Sequence, residues 1–208
     1  YEVMKNKTNI KNTNLYDKEA NLIIPTNFGF EDIEPQIKSS FDAAKQKLAK
    51  NGFNVVEIHV PALDLYKKVP LWQFAAVESQ TEYFEAYNDK KNLMDPNILR
   101  RMDRANDVLA VEYNLLLNIR EKLIKEFNNF LKNNFLLLPT VTIYPPLLED
   151  CKDEPYYDEV NLISLRNTTL ANYMNGCSIS LPYSNDDKPI GIMLNGTTKN
   201  DEKLLGIS

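Results

Sequence analysis

Hydroxyl and amide side chains crowd one stretch of the chain, LRNTTLANYMNGCSISLPYS at residues 165–184. The stretch begins with helix-forming residues and ends as a short β-prone run that Pro182 stops. A buried polar group without a partner costs about 1–3 kcal/mol, so these side chains either hydrogen-bond inside the fold or line a solvated cleft. Thr168, Thr169 and Asn172 lie close together on a helix, where they would either contact a ligand or cap helix ends and satisfy backbone groups.

The single histidine and the two cysteines are further candidates for chemistry. Cys151 and Cys177 show no CxxC spacing, and one histidine does not complete a metal site with them, so we expect reduced thiols and no metal. His59 falls on the more polar face of a predicted strand, where it is either an ordinary histidine or a general base. The chain has no GxGxxG, GxxxxGKS/T, HExxH or GxSxG motif, which argues against a phosphate-binding loop or a serine elbow.

Carboxylates are concentrated at residues 149–159. Such a cluster could bind calcium through its oxygens, but the spacing fits no EF-hand loop and Pro155 interrupts it. A solvated loop is the reading that the sequence favours.

Composition narrows the class of protein. With 43% hydrophobic and 25% charged residues in 208, the chain is typical of a globular protein that buries a core. A net charge of -5 argues against a nucleic-acid or anionic-membrane partner, because phosphates require a concentrated positive field. No run approaches the roughly 18 apolar residues of a membrane span, and the first residues lack the apolar core of a signal peptide, so we expect a cytoplasmic protein.

The first ordered elements are predicted to form a β-α-β unit. Apolar residues 22–24 indicate a buried strand, and Pro35 begins an amphipathic helix that ends near Gly52. Residues 54–60 alternate in polarity, which predicts a half-buried strand with Ile58 on its buried face.

A helical middle section and a buried strand are predicted next. A helix is expected at 71–87, and Asp95 before Pro96 forms a cap for another. The longest helix follows Asn106 and carries one apolar stripe; its members are Val108, Val111, Leu115, Ile119, Leu123, Phe127, Phe130 and Leu131. The uninterrupted apolar run at 135–138 indicates a strand covered on both faces.

The end of the chain completes an α/β pattern. We predict a helix at 160–173, strands at 178–183 and 190–194 joined by a turn at 185–188, and a last helix with Asp201 and Glu202 in its first turn. The fold class is therefore α/β, a mixed β-sheet flanked by helices. Residues 1–20 are polar and read as a flexible arm or linker, followed by one domain portion at 21–208.

Four motifs in order carry a resemblance to a known family: LLLPT at 136–140, LRNTTLANYMNGCSISLP at 165–182, KPIGIMLNG at 188–196 and NDEKLL at 200–205. Together with the segment that begins NLIIPTNFGF at residue 21, they resemble the C-terminal half of the amidase signature family. Asn-Gly-Cys at 175–177 is similar to the branch of bacterial amidases grouped with the glutamyl-tRNA amidotransferase.

The resemblance implies hydrolysis of a carbon–nitrogen amide bond by a Ser, cis-Ser, Lys triad, without a metal or coenzyme. In the family these residues lie in the N-terminal half, and no catalytic residue can be carried over to this chain. The adjacent Ser39 and Ser40 fall within a predicted amphipathic helix. We therefore expect a C-terminal fragment of an amidohydrolase that is inactive alone.

The resemblance also implies substrate-binding positions. In glutamine-handling relatives, an arginine in the helix that matches residues 97–104 binds the substrate carboxylate. The matching residue of this chain is Arg101 or Arg100. The alternative is that these arginines belong to a solvated basic turn. A second position falls at Arg166, where the amidotransferase has an acid; the alternative is a helix-surface arginine. Since guanidinium binds carboxylate bidentately, Arg166 implies an anionic or carbonyl-bearing substrate instead of glutamine. Thr169 and Asn172 complete the predicted site.

The resemblance also implies binding partners for this chain. We expect a small-molecule amide substrate, and association with the missing N-terminal half or with a second copy, because uncovered sheet edges and apolar surface favour association. The alternative function is a non-catalytic α/β binding or interaction module that uses Arg101 and Arg166 to hold an anionic ligand.

Overall fold

The structure is a computed structural model that describes residues 20–184 and 188–208. The predicted arm at 1–20 lies outside the described residues except for Ala20, and so does the predicted turn at 185–188 except for Lys188. The chain divides into two compact units, one formed by the chain up to Val60 together with Phe127–Ser208, and the other by Pro61–Glu126.

The strands are β1 (Asn21–Pro25), β2 (Asn54–Ile58), β3 (Phe135–Pro139), β4 (Cys177–Tyr183) and β5 (Ile190–Gly196). The α-helices are α1 (Pro35–Lys50), α2 (Pro61–Tyr66), α3 (Leu71–Glu82), α4 (Phe84–Asp89), α5 (Pro96–Asp103), α6 (Ala110–Leu131), α7 (Glu154–Tyr173) and α8 (Asp201–Ile207). Single 3₁₀ turns occupy Lys91–Leu93, Arg104–Asp107 and Asp150–Lys152. Among these helices, none combines the length and the apolar run that crossing a bilayer requires.

The first unit is built on a five-stranded sheet in the order β2-β1-β3-β5-β4. β1 pairs in parallel with β2 and with β3, whereas β5 pairs antiparallel with β3 and with β4. The parallel β1–β2 pair joined by α1 confirms the predicted β-α-β unit, and the mixed sheet flanked by helices confirms the α/β class.

Helices α1 and α8 pack on one face of this sheet. Their side chains Ile37, Phe41 and Leu204 share a buried cluster with sheet residues that include Leu22 and Leu137. Alternate strand residues point to the opposite face of the sheet. Helix α7 approaches this face near Gly29, where an added β-carbon would lie 2.6 Å from Leu138 Cδ2 of β3 and 3.4 Å from Asn167 Oδ1 of α7. We call this second face the α7 face.

β3 lies at the centre of the sheet, and all five of its residues are buried. This confirms the prediction from the uninterrupted apolar run, since a strand covered on both faces has no solvent-facing side to keep polar.

The second unit is helical. Phe74, Tyr87 and Met102 are buried within it, and the Tyr87 hydroxyl donates to the Asp103 carboxylate at 2.6 Å. The ammonium group of Lys91 lies 3.9 Å from the centre of the Tyr87 ring, and its pKa is raised by this contact with Tyr87 and by the charge of Asp103. At α5 the Asp95 carboxylate accepts the N–H groups of residues 97 and 98, as predicted for the helix cap.

Two predictions of burial are wrong in part. Ile58 was expected on a buried face but is 41% exposed, because β2 is an edge strand with a neighbour on one side only. The apolar stripe of α6 is buried towards its C-terminal end, at Phe127 and Leu131, whereas Val111 and Leu115 are 62% and 57% exposed. Helical periodicity identifies a stripe without showing that anything covers it.

Two predictions of element boundaries also need correction. The carboxylate-rich region does not stay a loop to residue 159, since α7 already begins at Glu154 with Pro155 in its first turn and Asp153 as its cap. The predicted helix at 71–87 is interrupted at Tyr83. Preceding hydroxyls contribute to this break, since Ser79 and Thr81 donate to backbone carbonyls one turn back, which bends helices.

Asn195 is a candidate for a stabilising substitution. It is buried on β5 between Leu136 and Ser178, and neither polar atom of its side chain has a hydrogen-bond partner among the described residues. Asn195→Val removes both unpaired groups and introduces a residue of high strand propensity. We expect the free energy of unfolding to rise by about 1–2 kcal/mol, measured from urea-unfolding curves.

Ser178→Val is the matched control, because Ser178 is the exposed cross-strand neighbour of Asn195 on the same face. It should change the free energy of unfolding by less than about 0.5 kcal/mol. Equal stabilisation by both substitutions would show that strand propensity, and not the unpaired carboxamide, is responsible.

Candidate functional site

The carboxyl ends of the parallel strands β1 and β3 lie at the same edge of the sheet. From this edge the chain continues into residues 26–34 after β1 and into residues 140–153 after β3. Ligands of open α/β sheets bind outside the carboxyl ends of the strands, where loops converge on a rigid scaffold. This edge is therefore the candidate site of the first unit.

Asn167 of α7 joins the two loops to the helix. Its side chain is fully buried, and its Nδ2 donates to the carbonyl oxygens of Gly29 at 3.0 Å and of Pro139 at 2.7 Å. Gly29 lies in the loop after β1 and Pro139 is the last residue of β3. A carbonyl left unpaired in the interior would be costly, so these two hydrogen bonds stabilise the edge. We call Gly29, Pro139 and Asn167 the Asn167 junction.

Gly29 is required at this junction for two reasons. Its φ of +92° is readily adopted only by glycine, and a β-carbon would collide with the side chain of Leu138. Its N–H donates to the Glu31 carboxylate at 2.7 Å, which closes a small turn. The backbone therefore approaches β3 and α7 more closely than any side chain would permit.

Arg166, the neighbour of Asn167, holds the next part of the same loop. Its Nη1 donates to the backbone carbonyl of Glu31 at 2.6 Å, and its Nη2 contacts the Asp32 carboxylate at 2.7 Å. The arginine side chain is 24% exposed and the aspartate side chain is 64% exposed. Both terminal nitrogens of the predicted substrate-binding arginine are thus engaged by residues 31 and 32.

A pair of hydroxyl groups lies on the α7 face near the same edge. Thr140 Oγ1 and Ser180 Oγ are 2.6 Å apart, and the Thr140 N–H donates to the Gly191 carbonyl at 2.8 Å. A β-carbon at Gly191 would lie 2.5 Å from Thr140 Oγ1 and 2.7 Å from Ser180 Oγ. The glycine therefore leaves the space that this exposed hydroxyl pair occupies.

The remaining predicted residues of α7 are more peripheral. Thr169 is half-buried, Asn172 is exposed, and the Thr168 hydroxyl donates to the Leu165 carbonyl within the helix. Sequence reasoning missed Asn167, although its helical spacing from Leu170 was a usable signal for an inward-facing amide. The roles of Thr169 and Asn172 in binding stay predictions.

Arg100 and Arg101 lie on α5, in the second unit. Arg100 is exposed and its Nη2 donates to the Asn97 side chain at 3.3 Å. Arg101 is half-buried, with its Nη2 atom inside the fold. Their binding of a substrate carboxylate stays a prediction.

Three candidate nucleophiles, Ser39, Ser40 and Cys177, are poorly suited to attack a substrate. Ser39 and Ser40 lie inside α1, as predicted, and Ser40 is buried. Cys177 is half-buried with its thiol 3.5 Å from the Thr197 carbonyl, and its pKa is raised chiefly by burial and further by the charge of Asp201. A raised pKa keeps Cys177 as the thiol, which is a poor nucleophile.

Metal-binding clusters and a general base are also not evident. The described residues bring together no group of three or more His, Cys, Asp or Glu side chains suited to a metal ion. His59 is exposed, as expected of the ordinary reading of this histidine. Tyr113, in the second unit, has its pKa raised by burial and by the charge of Glu78, whose carboxylate accepts a hydrogen bond from the Tyr113 hydroxyl at 3.2 Å.

Substitution of Asn167 tests the junction. Asn167→Leu keeps the size of the side chain roughly constant but leaves the Gly29 and Pro139 carbonyls without donors. The substitution also removes the buried Oδ1, which has no hydrogen-bond partner among the described residues. We expect a net loss of about 1–3 kcal/mol in the free energy of unfolding, measured in urea. Asn161→Leu on the same helix, where the side chain is partly exposed, should cost less than about 0.5 kcal/mol; equal losses would contradict the assignment.

The raised pKa of Cys177 predicts slow alkylation. Because only the thiolate reacts, the rate constant for iodoacetamide at Cys177 should stay low near pH 8 and rise only as the pH passes above the ordinary thiol value. Mass spectrometry of the Cys177 peptide, compared with the urea-unfolded chain, gives the rate against pH. Identical midpoints of the two profiles would contradict a burial-induced shift.

Comparisons with known proteins agree with this fold. A family model described as Amidase matches residues 2–205. The 2-amino-5-chloromuconic acid deaminase of Comamonas testosteroni is 30% identical over 197 residues, which cover 89% of this chain and 41% of that protein. A glutamyl-tRNA(Gln) amidotransferase polypeptide of Borreliella burgdorferi is 23% identical over 222 residues, which cover 90% of this chain and 44% of that protein.

Among solved structures, an allophanate hydrolase from Kluyveromyces lactis superposes with a TM-score of 0.77 at 23% identity, covering 92% of this chain and 31% of that chain. At this identity the likeness supports the fold alone. The chain spans less than half the length of the curated relatives it matches. Because the family model covers almost every residue, the chain belongs to the amidase family.

Proposed function

We propose that this chain forms the carboxy-terminal portion of an amidase-family hydrolase that cleaves a carbon–nitrogen amide bond of a small substrate. The match of the family model over residues 2–205 carries the proposal. The Asn167 junction supports it, because it orders two loops at the sheet edge where α/β proteins bind ligands.

The proposed division of labour assigns bond cleavage to residues outside these 208. The adjacent Ser39 and Ser40 lie in a regular helix, which supports placing the Ser, cis-Ser, Lys triad implied by the resemblance outside this chain. Cys177 is unsuited to replace the serine because its pKa is raised. The chain would instead close over the substrate and fix its orientation, with residues 21–208 acting as one portion of the larger domain.

The proposed substrate is a small amide that also carries an acid group. The relative from Comamonas testosteroni is named for an acid, and Arg166 supplies a guanidinium at the carboxyl edge of the sheet. Arg100 and Arg101, with Thr169 and Asn172, are proposed as further contacts. A binding module without catalysis is less favoured, because the family model that matches residues 2–205 is one of amidases.

The proposed partner is the rest of an amidase domain or a second copy. Leu147 and Leu148 are exposed after β3, Leu162 and Leu165 are exposed on α7, and β4 is an edge strand. Exposed apolar residues and an open strand edge favour association. The acidic balance, 29 Asp and Glu against 24 Lys and Arg, argues against a nucleic-acid partner. A cytoplasmic location stays part of the proposal.

An ammonia-release assay on the full-length gene product that contains these residues tests the proposal. We expect hydrolysis of a monoamide of a dicarboxylic acid, such as succinamate, in preference to the neutral butyramide. The 208-residue chain alone should be inactive. Replacing the proposed nucleophilic serine outside this chain with alanine should lower the rate by about 1,000-fold or more.

Two outcomes would contradict the proposal. One is hydrolysis by the 208-residue chain alone, which would place a nucleophile within it. The other is a full-length product that cleaves neither amide, while a urea-unfolding curve shows that it is folded.

A further inference from the structure

Arg166 makes two contacts of different kinds. The contact of Nη1 is to the backbone carbonyl of Glu31, whose position is set by the course of the loop. The contact of Nη2 is to the side chain of Asp32, which is largely exposed. A solvent-exposed side chain can rotate away without moving the backbone, so the second contact is the one that a ligand can replace.

The loop carries three carboxylates, and the other two are tied to backbone N–H groups. Glu31 accepts the N–H of Gly29 at 2.7 Å, and Glu34 accepts the N–H of Tyr144 at 2.9 Å. Among the residues that the structure describes, Asp32 has Arg166 as its single ion-pair partner. A carboxylate that approaches Arg166 therefore competes with Asp32 and leaves the other two acids in place.

We propose that Asp32 occupies the anion-binding position of Arg166 and thereby determines how tightly a carboxylate ligand binds there. Asp32 is in this sense a specificity-determining residue, and Arg166 is the group it regulates. The inference rests on the proposed function only in that the natural ligand would be the acid group of the substrate.

The exchange is energetically modest. Replacing one carboxylate by another on the same guanidinium nitrogen conserves the charge-assisted hydrogen bond. The existing pair is partly exposed, and such pairs contribute little in water. Occupation by Asp32 should therefore lower the apparent affinity for a carboxylate by about two- to fivefold, since a site that is only partly available binds in proportion to its availability.

The backbone at residue 32 suits two diagnostic substitutions. Asp32 has φ of +54°, a conformation that asparagine tolerates and glycine adopts freely. Asp32→Asn keeps the shape and removes the charge, whereas Asp32→Gly removes the competing acceptor altogether. Neither substitution disturbs the contact of Nη1 with the Glu31 carbonyl.

The experiment is a titration of the 208-residue chain with acetate, exchanged for chloride at constant ionic strength. The probe is the Nε–H signal of Arg166 in proton–nitrogen NMR spectra, together with the amide signals of Gly29 and Glu31. We expect acetate to bind about two- to fivefold more tightly to Asp32→Asn and to Asp32→Gly than to the unsubstituted chain.

Asp42→Asn is the matched control. It makes the same change at another exposed ion pair of the first unit, Lys38 with Asp42 at 2.9 Å, and should leave the affinity at Arg166 unchanged. In the Asp32→Asn background, Arg166→Gln should remove the gain. Gly29 and Glu31 signals close to their original positions would show that the loop is still folded.

The proposal is overturned if both Asp32 variants bind acetate with the affinity of the unsubstituted chain. It is also overturned if the gain survives in the Arg166→Gln background, or if Asp42→Asn produces the same gain. These results are independent of amide hydrolysis. An inactive full-length product whose Arg166 still exchanges Asp32 for acetate would refute the proposed function and leave this inference intact.

Discussion

The buried carboxamide of Asn167 is the interaction on which the geometry of the carboxyl edge depends. One NH₂ group donates to the loop after β1 through Gly29 and to the end of β3 through Pro139. Since β1 and β3 are parallel neighbours, a single helix residue fixes how both of their following loops leave the sheet. The Arg166 contacts to residues 31 and 32 and the Glu34–Tyr144 contact lie in the same loops and stabilise them further.

Next to this fixed point the structure places a contact of the opposite character. Asn167 is inaccessible and its two bonds are to backbone carbonyls, whereas the Arg166–Asp32 pair is partly solvated and joins two side chains. Adjacent residues of α7 thus serve different purposes, because successive residues of a helix point about 100° apart. The buried amide can therefore hold the backbone of the loop while the neighbouring ion pair stays accessible to solvent.

The sequence predicted the scaffold better than it predicted the site. The apolar run of β3 and the helical periodicity between Pro35 and Gly52 are local signals, and the structure confirms them. Burial of Ile58 failed because strand order at an edge is set by non-local pairing. Arg166 was singled out through the family resemblance, but its partner Asp32 is 134 positions away, and no local pattern shows that the two meet. Gly29 was equally inconspicuous, since its close approach to Leu138 exists only in the folded chain.

Residues 165–184 are polar for two physical reasons: side chains alternate between the two faces of strand β4, and α7 lies next to backbone carbonyls that need a donor. Asn167 is polar because it satisfies buried carbonyls, and Thr168 because it bonds within its helix. Ser178 and Ser180 are exposed on the α7 face of an edge strand, while the intervening Ile179 packs on the opposite core. The same face carries the Asn167 junction and the Thr140–Ser180 hydroxyl pair, so the polar side chains mark one side of one sheet edge. A substrate held there would lie against groups that bind and orient, which is consistent with a chain that leaves bond cleavage to residues elsewhere in an amidase.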